Sequence, residues 1–163
     1  MMLDTLKVLT ILAAALVLVG ALAHALEYPG KRRLEIETYR LVQTIYYPGF
    51  TRLGLAEPLS VLLAAVTALV AGIGTPAFWT LGAAALLLAA VHGTYWLMTH
   101  PVNRHWLSGT QTSQADTTFF EGRAPEPAEP DWTRMRARWE RSHLIRAALV
   151  APAFVLTALA AVL

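Results

Sequence analysis

Four long apolar runs dominate the 163-residue chain and restrict the folds that it can adopt. They cover Thr5–Leu26, Leu53–Ala71, Ala77–Thr99 and Ser142–Leu163. A helix needs roughly 20 apolar residues to cross a bilayer, and the length of each run is close to that. Only 15% of the residues are charged, whereas a soluble domain has about 25%. We therefore expect one all-α domain over residues 1–163, an integral membrane four-helix up-down bundle.

The segments between the runs predict an interfacial helix and a polar loop. Residues 34–47 carry apolar side chains at helical spacing, which predicts an amphipathic helix on the membrane surface after the first span. Residues 108–131 are polar, contain three prolines and lack periodicity, so they are predicted to be a loop. Asp131 is the expected N-cap of a basic helix that begins at Trp132 and continues into the fourth span.

Positive residues cluster in two of the three segments that join the runs. Lys and Arg are frequent after the first and the third run, whereas the turn at residues 72–76 has none. Because positive residues favour the cytoplasmic side, we expect both long loops to be cytoplasmic and both termini outside, in a bacterial inner membrane. Anionic headgroups of the lipid bilayer account for the basic loops, so no nucleic-acid partner is expected. A homo-oligomer or a partner subunit is left open.

Ionisable side chains lie close to the ends of the apolar runs or within them. They are His24, Glu27, Glu57, His92, Glu140 and His143. In an up-down bundle these positions fall toward the same end, so the six side chains are predicted to meet in one half of the bundle. Ionisable groups at membrane depth are costly and by default indicate a functional site. His92 is the deepest, because it precedes His100 by eight residues, or about 12 Å of helix.

Two chemical interpretations of this cluster involve a metal. Glu140 and His143 have the Glu-x-x-His spacing of di-iron bundles, and His24 and Glu27 have the same pair in reverse order. The whole cluster offers three carboxylates and three imidazoles, a set that suits iron, copper, manganese or zinc. The other interpretation is axial ligation of haem by His92 together with a second histidine.

Two further interpretations need no metal. A histidine held by a carboxylate can take up a proton near neutral pH, and Arg52 or Arg146 can stabilise the anion that forms. Alternatively, the cluster is structural, and glutamates near the interface pair with arginines to fasten the helices together. The absence of cysteine excludes disulfides, thiolate ligation and cysteine nucleophiles. The residues alone leave these alternatives open.

Four motifs, spread over nearly the whole chain, resemble those of a known protein family. They are His24-Ala-Leu-Glu27-x-Pro29-x-Lys31, Tyr39-x-x-Val42-Gln43-x-Ile45-Tyr46, Pro101-Val102-Asn103 and Asp131-Trp132-x-x-Met135-Arg136-x-x-Trp139-Glu140-x-x-His143. They are similar to motifs of the anthrone oxygenase-like family, whose bacterial members are small four-helix integral membrane proteins. The Pro-Val-Asn motif after the third run and the Trp-Glu-x-x-His motif that opens the fourth are the most specific.

The resemblance implies oxygen chemistry on a hydrophobic, electron-rich aromatic substrate. Anthrone oxygenases convert anthrones to anthraquinones and are regarded as needing neither metal nor flavin. An anthrone has an acidic CH₂ group, so a base can generate an anion that reacts directly with O₂. By this likeness His143 is the expected base, with Glu140 orienting it and His92 as a second candidate. Asn103 and Arg146 are expected to hold the oxyanion.

One departure from the family pattern keeps the metal interpretation open. The pattern does not require the His-x-x-Glu pair that closes the first run, and this pair adds side chains able to bind a metal. We therefore expect a membrane oxidoreductase, of an oxygenase-like kind, that acts on a hydrophobic small molecule in the cytoplasmic half of the bundle. It would use either a transition metal or no cofactor. The alternative is a non-catalytic membrane protein whose polar cluster is structural or binds a partner subunit.

Overall fold

The computed structural model describes residues 1–46, 49–106 and 131–163, and within these ranges it contains helices and no strand. The helices are α1 (Met2–Lys31), α2 (Ile36–Gln43), α3 (Gly49–Gly54), α4 (Ala56–Ala71), α5 (Pro76–Thr94), α6 (His100–Trp106) and α7 (Trp132–Ala160). A 3₁₀ turn, Thr44–Tyr46, follows α2, and a π-helical turn, Tyr95–Thr99, joins α5 to α6.

Four helical segments are long and apolar enough to cross a membrane. They are Met2–Lys31, Arg52–Ala71, Pro76–Arg104 and Trp132–Ala160. α1 packs against α4 and α7, and α5 packs against the same two helices, so the four long helices form a closed square. The predicted all-α membrane bundle is therefore confirmed. Its helices extend beyond the apolar runs because their polar ends also stay helical.

Small side chains allow the four long helices to approach closely. The fully buried alanines are Ala14, Ala64, Ala84, Ala153 and Ala160. Large apolar side chains such as Leu62 and Leu86 are instead 60% and 75% exposed, which suits a surface in contact with lipid tails. The hydroxyls of Thr10 and Thr67 hydrogen-bond at 2.9 Å, so a buried polar contact also fastens α1 to α4.

α2 and the 3₁₀ turn cover the end of the bundle at which α1 stops. Tyr39 is fully buried and Gln43 is 7% exposed, whereas Leu41 and Ile45 are 68% and 75% exposed. Leu41 and Ile45 therefore face outward beside the exposed Glu37 and Arg40, as expected of an interfacial helix at a membrane surface. The predicted helix over residues 34–47 is shorter in the structure, and its last residue lies outside the described ranges.

Arg136 joins the beginning of α7 to the end of α1. Its guanidinium donates to the carbonyls of Lys31 and, at 3.1 Å, of Leu34, and it lies 4.8 Å from the centre of the Tyr39 ring. The Lys31 carbonyl also accepts from the N–H of Leu34, so the arginine reinforces the turn in which α1 ends. This arginine of the basic segment therefore stabilises the packing of α7 on α1 and α2.

The π-helical turn and Pro101 shape the end of the third span. Pro101 has no N–H for the Leu97 carbonyl four residues earlier, and Arg138 of α7 donates to that carbonyl at 2.6 Å. Within the turn, the buried Thr99 hydroxyl shares a 2.8 Å hydrogen bond with Ser142 of α7. π-Helical turns are rare and frequently lie at functional sites, and this one follows directly on the helix that carries the deepest histidine.

The beginning of α7 confirms the predicted N-cap. The Asp131 carboxylate accepts hydrogen bonds from the backbone N–H groups of Thr133 and Arg134, at 3.0 and 3.3 Å. The Thr133 hydroxyl and these N–H groups hold the pKa of Asp131 below its usual range. The basic segment and the fourth span form one continuous helix, as predicted. The loop predicted at residues 108–131 lies, apart from its last residue, outside the described part of the chain.

Candidate functional site

A partly open cavity of about 80 Å³ lies at the bundle end that α2 covers. All four long helices contribute to its wall. The predicted site residues that line it are His24, Glu57, His92, Asn103, His143 and Arg146. A water molecule occupies about 10–15 Å³ on this measure, so the cavity holds several waters or one end of a larger ligand. Glu27 and Glu140 are not among the described lining residues, and they support the wall from behind.

Glu57 is the centre of the polar network in the cavity. It lies in the first turn of α4 and is 5% exposed. One carboxylate oxygen accepts a hydrogen bond from the Arg146 guanidinium in a buried ion pair, and the other lies 3.1 Å from Nδ1 of His92. Removing one member of such a pair leaves an uncompensated charge at membrane depth, so each depends on the other. The network therefore links α4, α5 and α7 through charged groups.

The hydrogen bonds of His92 fix its proton on Nδ1. The indole N–H of Trp96 donates to Nε2 of His92 at 2.9 Å, and an indole nitrogen can only donate. Nε2 is therefore the acceptor, and the ring is neutral with its proton on Nδ1, where it donates to Glu57. His92 and Glu57 thus form a carboxylate–imidazole dyad whose basic nitrogen is covered by Trp96.

The hydrogen bonds of His143 fix the opposite tautomer. Nη1 of Arg146 lies 3.1 Å from Nδ1 of His143, and a guanidinium can only donate. Nδ1 is therefore the acceptor, and the proton is on Nε2, which has no hydrogen-bond partner among the described residues. In this state His143 offers a hydrogen-bond donor and no basic lone pair. That arrangement does not favour the base role expected of it.

A second network of polar side chains lies behind His24. Glu27 accepts hydrogen bonds from the Lys31 ammonium at 2.8 Å and from the Tyr46 hydroxyl at 2.7 Å. Nδ1 of His24 lies 3.5 Å from both Glu27 and Lys31. Lys31 is only 4% exposed, and its ammonium lies 4.4 Å and 4.8 Å from the ring centres of Tyr46 and Trp139. This network holds the His24 ring against the cavity.

Glu140 does not orient His143, contrary to the expectation from the resemblance. Its Oε1 accepts a 2.6 Å hydrogen bond from the Tyr39 hydroxyl of α2, and Nδ1 of His143 is bound by Arg146. Two residues that are close along a helix need not hydrogen-bond to each other, because the rotamer of each side chain also depends on its contacts with neighbouring helices. Asn103 is also engaged, since its Oδ1 accepts from the Trp139 indole at 3.0 Å.

The six residues proposed as metal ligands divide into smaller groups. Among residues 1–46, 49–106 and 131–163, no set of three or more His, Asp or Glu side chains is placed to hold a metal ion. Two cations lie within the cluster instead: Arg146 contacts Glu57 and His143, and Lys31 contacts Glu27. The described glutamates and histidines that lie closest together are therefore already in contact with a cationic side chain. Metal binding stays a prediction.

Together, the fold and the cavity define a class of protein: a helical membrane protein with a His, Glu and Arg network at one end of its bundle. The chain belongs to the anthrone oxygenase family, whose family model matches residues 42–156, well over half of its length. The matched range includes Glu57, His92 and Arg146, and it begins after His24. No curated protein and no solved structure matches the chain.

Three polar residues that organise the site were not predicted as site residues. Lys31, Tyr39 and Tyr46 lie behind or beside the cavity and hold its glutamates. A signal was available for Lys31, because Glu27 precedes it by four residues and such a pair shares a helix face. For Tyr39 the spacing could not indicate the partner, since Glu140 is 101 residues away in sequence.

The two tyrosines make the stability of the protein sensitive to alkaline pH. Burial raises the pKa of Tyr39 and of Tyr46, and hydrogen bonds to Glu140 and Glu27 add to the effect. A raised pKa contributes stability below the ordinary tyrosine value of about 10, and this contribution is lost as the pH rises toward the folded-state value. We expect the Tyr39→Phe/Tyr46→Phe variant to lose less stability between about pH 10 and 12 than the wild type.

Thermal unfolding in detergent, followed by near-ultraviolet circular dichroism at several pH values, measures this difference. Tyr28→Phe is the matched control, because it removes a tyrosine of α1 that hydrogen-bonds neither glutamate in the described structure. Parallel pH dependences for the double variant and the wild type would contradict the assignment.

Proposed function

We propose that the protein is a membrane oxygenase that removes a proton from an acidic C–H group of a hydrophobic aromatic substrate and lets the resulting anion react with O₂. The family supports oxygenase-like chemistry. The observation that carries the mechanism is the Glu57–His92 dyad, in which Nε2 of His92 is the basic nitrogen and accepts a hydrogen bond from Trp96. The base is therefore His92, supported by Glu57, and His143 has another role.

The reaction begins when the substrate displaces the Trp96 indole from Nε2 of His92. Nε2 takes a proton from the substrate CH₂ group, and the Glu57 carboxylate stabilises the imidazolium that forms. The carbanion transfers its electrons to O₂, a C–O bond forms, and the peroxide takes the proton back from His92. Loss of water leaves a carbonyl, so the sum is CH₂ + O₂ → C=O + H₂O. Carbon is oxidised by four electrons and O₂ is reduced by four.

The cavity wall supports a hydrophobic substrate. Leu16, Val17 and Leu53 line one part of it, and Phe50 adds an aromatic face. Sites that enclose a whole drug-sized ligand measure about 300–1,000 Å³, which is larger than the 80 Å³ found here. We therefore propose that the reacting carbon enters the cavity while the rest of the substrate stays in its opening.

We also propose that the cavity lies in the cytoplasmic half of the membrane. Positive residues follow α1 on the side of the bundle that carries the cavity: Arg32, Arg33 and Arg40. The positive-inside preference then orients this end toward the cytoplasm and both termini outward. Accessibility labelling of cysteines introduced at residue 35 and at residue 73 tests this orientation, because the two positions belong to opposite ends of the bundle.

Oxygen uptake with anthrone as the substrate tests the proposed function. We expect the protein in lipid vesicles to consume one O₂ per anthraquinone formed, with ¹⁸O from ¹⁸O₂ in the new carbonyl. Empty vesicles give the background rate of spontaneous oxidation. The base mechanism predicts that the rate survives prior treatment with a chelator, with metal content checked by elemental analysis. Folded protein with no rate above background would overturn the proposal and favour a structural role for the polar network.

A further inference from the structure

Besides Nε of Arg146, two hydrogen-bond donors on residues that line the cavity have no partner within the described part of the chain. They are Nε2 of His143 and Nε2 of Gln43, on side chains that are 3% and 7% exposed. Both residues line the same cavity, one from α7 and one from α2. Buried donors are nearly always satisfied in folded proteins, so an unpartnered pair at one cavity calls for an acceptor.

Contacts with neighbouring residues position the two elements that carry the donors. Arg146 donates to Nδ1 of His143, which leaves the proton on Nε2. Gln43 closes α2, and α2 is held on the bundle by the hydrogen bond from Tyr39 to Glu140. The His143 ring and the helix that carries Gln43 are therefore held in place before a ligand arrives, which lowers the entropy lost on binding.

From this pair we infer a binding site for one oxygen atom of the ligand, a carbonyl oxygen that becomes an enolate or phenolate oxygen, on a flat aromatic ring system. The inference rests on the proposed function and assigns the two residues that bind the substrate's carbonyl oxygen. When His92 removes the proton, the negative charge spreads to that oxygen. His143 and Gln43 then bind the charge where it develops, which stabilises the transition state more than the ground state.

The surroundings of the two donors support this ligand class. The guanidinium of Arg146 and the ammonium of Lys31 both lie close to the site, so its potential favours an oxygen that gains negative charge. The ring of His24 packs at 4.2 Å from His143 and 4.6 Å from Phe50, measured between ring centres. His24 and Phe50 both line the cavity, so a flat aromatic ligand that enters it contacts aromatic rings.

A pair of probes with the same three-ring shape tests the inference. Anthraquinone carries carbonyl oxygens and anthracene carries none. We expect the wild-type protein in nanodiscs to bind anthraquinone about tenfold more tightly than anthracene, as one or two net hydrogen bonds would give. Gln43→Leu should lower this ratio by about three- to tenfold and leave anthracene binding unchanged. Leu41→Ala, on the exposed side of the same helix, is the matched control and should keep the wild-type ratio.

Quenching of tryptophan fluorescence measures both affinities. When the ratio of anthraquinone affinity to anthracene affinity is compared between variants, the partition of each probe into lipid cancels. Equal affinity of the wild type for the two probes would mean that water satisfies the donors, and it would overturn the inference. A wild-type ratio in Gln43→Leu would also overturn it, because Gln43 would then not be a donor to the ligand. Binding is measured without turnover, so failure of the proposed oxygenation is seen separately, in the oxygen-uptake assay.

Discussion

Replacing Arg146 by methionine is expected to lower the free energy of unfolding by about 3–5 kcal/mol, because the buried Glu57 carboxylate is left without its cationic partner. The same substitution removes the donor to His143. The double variant Glu57→Gln/Arg146→Met is expected to recover most of the loss, since it removes both charges together. The two substitutions should therefore be strongly non-additive.

Unfolding of the single and double variants in a mild detergent, with increasing denaturant, measures the interaction between the two side chains. Glu37→Gln/Arg40→Met is the matched control, because it removes one acid and one arginine from the exposed side of α2. A single Arg146→Met variant as stable as the wild type would show that the carboxylate has another partner, and it would contradict the network described here.

Replacing His92 by glutamine is expected to lower the rate of oxygenation by about 10²–10⁴-fold while the protein stays folded, because glutamine cannot take up the substrate proton. The effect should fall on kcat more than on KM, since the base acts in the chemical step. Initial rates of anthraquinone formation at several anthrone concentrations measure both constants. The proposed oxygenation and the assignment of the base are tested by the same series.

His100→Gln is the control for this variant, because His100 lies on the same span and does not line the cavity. It should keep the wild-type rate. His143→Gln keeps an N–H donor in the cavity and should retain more activity than His92→Gln. The reverse order, with His92→Gln active and His143→Gln inactive, would return the base role to His143.

The convergence of the candidate residues could be predicted because it follows from topology. Spans that alternate in direction bring the end of the first, the beginning of the second, the end of the third and the beginning of the fourth together. Any ionisable residue near those positions, such as His24 or Glu57, must then lie toward one end of the bundle. Lengths of apolar runs were enough for that conclusion, and no knowledge of side-chain contacts was needed.

The partners within the cluster could not be predicted, because they depend on how each helix is rotated about its axis. Glu140 and His143 share a helix face by spacing, yet Glu140 binds Tyr39 of α2 and His143 binds Arg146. The π-helical turn after α5 also changes the register of the residues that follow it, and sequence periodicity assumes a uniform helix. The tautomers of His92 and His143, which decide their chemical roles, depend on these contacts.

Along α2 and the 3₁₀ turn, Tyr39 and Gln43 are turned inward, and Leu41 and Ile45 are turned outward beside the exposed Glu37 and Arg40. In water this arrangement would be unfavourable, because it exposes two large apolar side chains to solvent. It becomes favourable only at a bilayer surface. We therefore expect the cover of the cavity to seat most favourably once the spans lie in a bilayer. The site then matures in the same place where lipid-soluble molecules are concentrated, and a newly made chain in the aqueous phase has no assembled site.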